Sequence, residues 1–165
     1  MEEKHEEKRE GAKEGFIENV GILNLKDVKE EDIERMKRIK NVGVILAPKE
    51  LIGKISAKIV SNVGVIVPYV EGMRLYIGKT SVNADMLRAL EEPVDILQAG
   101  KLFIEQDVNP ELILQKIKSF RNYGKTVVPT KETLGALMAK CIENMGKIEI
   151  GSRREGMEEE EEEEE

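Results

Sequence analysis

Histidine and cysteine are almost missing from this 165-residue chain: there is one of each, His5 and Cys141. A single cysteine excludes an internal disulfide. A single histidine, in a charged N-terminal stretch, excludes most histidine-based acid–base and metal chemistry. Tryptophan is absent and aromatic residues make up 4% of the chain, so any core is aliphatic. Long apolar runs are missing too. The longest, Val42–Ala47 and Val63–Val70, are strand-length, so neither a signal peptide nor a membrane-spanning segment is expected, and the cytoplasm is the expected compartment.

What is abundant is charge, and it is unevenly placed. The net charge is −7 with 36% charged residues. Residues 151–165 carry nine Glu against Arg153 and Arg154, and residues 1–15 carry six Glu against Lys4, Lys8, Arg9 and Lys13. The remaining body is nearly balanced at +2. Both ends lack the apolar side chains that offset the entropy of ordering, and they read as disordered tails: 1–15 charged, 151–165 acidic.

Between the tails the sequence repeats itself. Asn19-Val20-Gly21, Asn41-Val42-Gly43 and Asn62-Val63-Gly64 recur at intervals of 22 and 21 residues, and Asn122-Tyr123-Gly124 and Asn144-Met145-Gly146 stand 22 apart. Residues 50–68 align with 132–150 without a gap, with seven identities in nineteen positions, glycines in register. The expected organisation is one α/β domain over 16–150, a duplicated βα repeat (16–68 and 95–150) interrupted by an insert at 69–94. Strands are expected near 20–25, 42–47, 63–68, 73–77, 99–104, 124–128 and 146–150, with a short one at 94–97. Helices are expected near 28–40, 49–61, 83–91, 110–121 and 131–143, the last marked by Leu134, Leu137, Met138, Cys141 and Ile142. Asp27 with Glu30 reads as a capping box and Asn109-Pro110 as an N-cap before a first-turn proline. Asn-x-Gly reads as the left-handed stop after each helix. The period of 21–24 residues, with one strand and one helix per unit, resembles that of leucine-rich-repeat βα solenoids in period and architecture. The order differs: here Asn precedes the strand by about two positions. The resemblance implies a mostly parallel sheet with helices on one face.

Right-handed crossovers place every helix on one side of such a sheet, and strand alternation then assigns the faces. Gly21, Leu23, Gly43, Ile45, Gly64 and Ile66 fall on the helix side. The opposite set holds Lys101, Lys125, Lys147 and Glu149 in the second half but Val42, Val44, Leu46, Val63, Val65 and Val67 in the first. Those six aliphatic side chains form a patch that soluble monomers seldom leave bare. They are the candidate interface, with a second copy of the chain (a dimer first), another protein, or the segment 69–79 as its cover.

Catalytic, metal-binding and cofactor signatures are not found. Gly78-Lys79-Thr80-Ser81 resembles the end of a phosphate loop, but Met73 stands where the first glycine is needed, and a plain strand-to-helix loop is the better reading. Cys141 reads as a buried structural thiol. Arg35, Lys37, Arg38, Lys40, Lys116, Lys118 and Arg121 read as solvated helix faces without interleaved aromatics, so no nucleic-acid partner is expected. The functional expectation is a non-enzymatic repeat protein that self-associates or scaffolds. The alternative is a small enzyme or ligand-binding domain with a polar rim at the carboxyl ends of the strands, from Lys26, Asp27, Lys49, Glu105, Asp107 and Thr130.

Overall fold

The computed structural model describes residues 15–152, and the two charged tails lie outside them except for Gly15, Gly151 and Ser152. The chain is α/β, with mostly parallel, curled sheets and short helices. It divides between Glu71 and Gly72 into two compact units, each with its own sheet.

In the first unit, β1 (Phe16–Asn24), β2 (Arg38–Pro48) and β3 (Ile59–Tyr69) form a parallel sheet in the order of the sequence. Helix α1 (Glu30–Arg35) joins β1 to β2, and α2 (Ile52–Ser56), entered through a 3-10 turn at Lys49–Leu51, joins β2 to β3. The register lays the repeats side by side: Val20 beside Val42, and Val42 beside Val63. Ile33 of α1 and Ile55 of α2 pack against Ile39, Val42, Ile45 and Ala47, with Val63 and Ile66 around them.

The second unit begins with β4 (Arg74–Val82), α3 (Ala84–Arg88) and β5 (Val94–Ile104), so much of the expected insert is a strand and a helix that belong to the second sheet. The long strand β5 pairs β4 along its length. On its other side its first half pairs β6 (Ile117–Asn122) and its second half β7 (Lys125–Val128). Strands β8 (Cys141–Asn144) and β9 (Lys147–Ile150) continue this split beyond β6 and β7. Gly100, at φ +135°, sits where β5 divides. Helices α4 (Pro110–Lys116) and α5 (Lys131–Lys140) complete the unit. Leu87, Leu112, Ile113 and Leu137 from the helices meet Ile96, Leu102, Ile104, Ile117 and Phe120 from the sheet.

Three expectations fail for one physical reason. The helices stop early: α1 ends at Arg35, and α4 and α5 run directly into extended backbone at Ile117 and Cys141. The residues assigned to the helix ends, 38–40, 59–61, 117–121 and 141–143, lie in strands, and Leu134…Ile142 is not one helical stripe. Asn-x-Gly therefore stops no helix. Asn19, Asn41 and Asn62 take φ of 58°, 54° and 55° inside their strands. A left-handed residue breaks the pleat, so one alternation cannot hold on both sides of it. That is why Val42 and Val63 share the helix-side core with Ile45 and Ile66. Gly43, expected on that side, is exposed instead. Its role is rung-to-rung contact, because a Cβ on Gly43 would lie 2.6 Å from the Gly21 carbonyl oxygen and one on Gly64 2.5 Å from that of Gly43. Asparagine at 109 caps α4 as expected, its Oδ1 accepting from Leu112 N at 2.8 Å. The Asp27–Glu30 box does not form; Asp32 accepts from Lys29 N at 3.1 Å.

Candidate functional site

Parallel pairing of equivalent residues turns polar side chains into ladders. In the first unit the asparagine ladder is exposed: Asn62 Nδ2 donates to Asn41 Oδ1 at 2.8 Å and Asn41 Nδ2 to Asn19 Oδ1 at 3.0 Å. In the second it is buried at Gln98 and Asn122 and exposed at Asn144. Gln98 Nε2 donates to Asn122 Oδ1 at 2.9 Å and to Lys125 O at 3.1 Å. Asn122 Nδ2 donates to Asn144 Oδ1 at 2.9 Å, Gly124 O at 3.0 Å and Lys147 O at 3.2 Å. Gln98, Asn122 and Thr126 are fully buried, and Gln98 Oε1 has no partner among the described residues. Sequence reasoning missed Gln98 and Thr126. The signal was present, since Gln98-Ala99-Gly100 stands in the same frame as Asn122-Tyr123-Gly124, with one amide replacing another.

Charged groups follow the same rule. Asp95 accepts from Ser119 Oγ at 2.5 Å, Arg121 bridges Glu143 at 3.2 Å, and Arg38 bridges Glu18 at 2.9 Å. Tyr123 donates to Glu143 at 2.6 Å; burial first, then that hydrogen bond, pushes its phenol up to about 12. A phenol held protonated beside an arginine-bound carboxylate cannot act as a base near neutrality. Cys141 lies half-buried on β8, not on a helix stripe. Its Sγ–H donates to Glu143 O at 3.4 Å, and burial pushes its thiol up, away from nucleophilic chemistry. Arg38 and Lys40 lie on β2, and Lys118 and Arg121 on β6, so the expected basic helix faces are largely strand positions.

The rim residues are shared between the two units. Lys26, Asp27 and Lys49 belong to the first unit and Glu105, Asp107 and Thr130 to the second. Three of the six have structural partners: Glu105 accepts from Ser81, Asp107 from Ala84 N at 3.1 Å, and Thr130 caps α5 by accepting from Thr133 N at 3.1 Å. Lys26 lies 5.9 Å from the centre of the Tyr69 ring. Gly78-Lys79-Thr80-Ser81 is neither a phosphate loop nor any other loop; all four residues are inside β4. Among the described residues no group of three His, Cys, Asp or Glu could hold a metal ion, and no helix is long and apolar enough to cross a membrane.

The six interface candidates divide. Val42 and Val63 pack with the helices. Val44, Leu46 and Val67 are buried and Val65 is half-buried. Large apolar side chains in solvent lie elsewhere and are scattered: Val60 on β3 is 59% exposed, and Ile142, Met145 and Ile150, in and around β8 and β9, are 59%, 60% and 50% exposed. Compared with known proteins, the chain matches no family model, no curated protein and no solved structure.

Proposed function

We propose that this is a non-enzymatic βα-repeat protein, solenoid-like in plan and cytoplasmic, that acts by protein–protein interaction: self-association first, scaffolding second. What supports this reading most is the way each sheet ends. Inner strands such as β2 and β5 are paired on both sides, whereas β1 and β3 in the first unit and β4, β8 and β9 in the second have no further strand beyond them in their own sheet among the described residues. An unpaired edge is a template for another chain. Gly21, on β1, adds to the argument. Gly43 and Gly64 must lack a Cβ because the preceding strand's carbonyl occupies its place, yet a Cβ on Gly21 would meet nothing within 4 Å, and its backbone is not left-handed. A strand of a second copy laid on β1 would give Gly21 the same steric reason.

The apolar patch then has a different part to play. Val44, Leu46 and Val67 contribute packing rather than a contact surface, and the association is carried by the edges. The ligand-site alternative has less behind it, since Asp107 and Thr130 are engaged as caps. Absolute mass by light scattering, on the full chain over a hundredfold concentration range, tests the proposal. A species heavier than the monomer that persists on dilution supports it. A strict monomer that is stabilised in a thermal-shift screen by nucleotides, divalent metals or small metabolites would replace it with the ligand-site reading.

A further inference from the structure

Four Gly-Lys pairs lie in register across the second unit: Gly78-Lys79, Gly100-Lys101, Gly124-Lys125 and Gly146-Lys147. Lys79 pairs with Lys101, Lys101 with Lys125, and Lys125 with Lys147. Neighbouring strands stand about 4.8 Å apart, so four ammonium groups are rooted in a line of about 14 Å. Like charges directly opposite one another destabilise a sheet, and an anion laid along the row offsets that. Glu149 lies 2.9 Å from Lys125 and 2.8 Å from Lys147, its carboxyl held below the usual range by Lys147 first and Lys125 second, and Lys79 Nζ lies 6.0 Å from the centre of the Phe103 ring. Lys79 and Lys147 are exposed and Lys101 and Lys125 half-buried, so the row runs along a surface. Sheet pairing, not composition, makes it: the lysines stand 22 to 24 residues apart in sequence.

We propose that this row is a binding site for an extended acidic peptide segment, and that its occupant is the chain's own run Glu158–Glu165. The charges are complementary, with eight consecutive carboxylates against four lysines. The reach suffices. Lys147 stands on the last strand of the unit, and the six residues from Ser152 to Glu158 span up to about 20 Å when extended. Tethering makes the encounter intramolecular, which raises the effective concentration of the run to about the millimolar range. An acidic segment of another protein would have to displace it, so the tail acts as a built-in competitor. The inference is independent of the association proposed above.

The test uses the full chain and a variant with Glu158–Glu165 all changed to Gln, each titrated with a fluorescent octaglutamate peptide. The Gln variant binds the peptide, the natural chain binds it on the order of tenfold more weakly or worse, and binding to the variant weakens as salt rises from about 0.1 M to about 1 M. Adding Lys101→Gln and Lys125→Gln to the Gln variant abolishes binding, while Lys101→Arg with Lys125→Arg preserves it; circular dichroism confirms that each variant is folded. No binding by the Gln variant overturns the site. Equal binding by the natural chain and the Gln variant overturns the chain's own run as its occupant. Binding that survives the Lys→Gln changes moves it to another surface and overturns the lysine row.

Discussion

Asparagine occupies the same frame in both units but for opposite reasons, and substitution at Asn41 and Asn122 separates them. The Asn122 side chain has five hydrogen-bonding partners, the two hydrogens of its Nδ2 being shared among three acceptors. It donates to Asn144, Gly124 and Lys147 at 2.9, 3.0 and 3.2 Å, and accepts from Gln98 and Thr126, both at 2.9 Å. It is fully buried, as are Gln98 and Thr126. At about 1 kcal/mol per bond, with a further penalty for buried groups left unpaired, Asn122→Ala costs about 4 kcal/mol. That is a large fraction of a total stability of about 5–15 kcal/mol. Asn122 has no left-handed backbone, so Asn122→Gly recovers nothing and is worse than Ala by about 0.5–1 kcal/mol. Asn41 reverses the order. Its two ladder bonds, at 2.8 and 3.0 Å, are exposed to water and contribute little, whereas its φ of 54° penalises alanine by about 1–2 kcal/mol. Asn41→Gly therefore stays within about 1 kcal/mol of the natural protein, and Asn41→Ala is the worse of the two. Guanidinium unfolding at one low protein concentration measures this, with segment-resolved hydrogen exchange to assign each loss to its unit. Asn122→Gly within about 1 kcal/mol of the natural chain would refute the buried ladder as a source of stability. Asn41→Ala more stable than Asn41→Gly would refute the left-handed requirement.

Gly43→Ala places a Cβ 2.6 Å from a backbone oxygen and destabilises by about 1–3 kcal/mol, while Gly21→Ala, with open space around it, leaves thermal stability of the monomer nearly unchanged. Melting both at low concentration checks the contrast. Tyr123 holds its proton more tightly when folded than when unfolded. Its contribution is therefore complete below pH 10 and is lost as pH rises from 10 to about 12; Tyr123→Phe makes alkaline unfolding shallower over that window. Glu149 acts in the acid direction: its carboxyl is lowered, so its contribution is present above pH 4.5 and lost as pH falls below it, and Glu149→Gln flattens the acid limb. Cys141, with its thiol pushed up by burial, reacts with a maleimide at pH 7 more slowly than free cysteine; equal rates would show it to be more open than its position on β8 allows.

Local chemistry read from the residues accounts for much of the fold. Asn109-Pro110 marks a helix start that forms where it stands, and the intervals between Asn-x-Gly repeats anticipate the offsets at which the strands pair. Met73–Ile77 is readable as strand, but Gly78-Lys79-Thr80-Ser81 reads as the loop after it, whereas β4 carries on through all four residues to Val82. The helix ends were not readable. Ile39, Ile59, Ile117 and Cys141 carry apolar side chains at helical as well as strand spacing, and over four residues the two periods cannot be told apart. A neighbouring strand settles the matter by offering backbone hydrogen bonds that a frayed last turn lacks.

The candidate site divides in the same way. Repetition in the sequence determined which residues are equivalent, and so which glycines, amides and lysines stand side by side once any two strands pair in parallel. It could not determine which way those side chains point, because one left-handed asparagine breaks the alternation on which the faces of Val42 and Val63 were assigned. Nor could it tell that the ladder is exposed at Asn41 and buried at Asn122, since the same three-residue motif lies at both. Burial, and with it the strength of every hydrogen bond and charge in the two ladders, is a property of what packs around the strand, and that was decided by the tertiary structure alone.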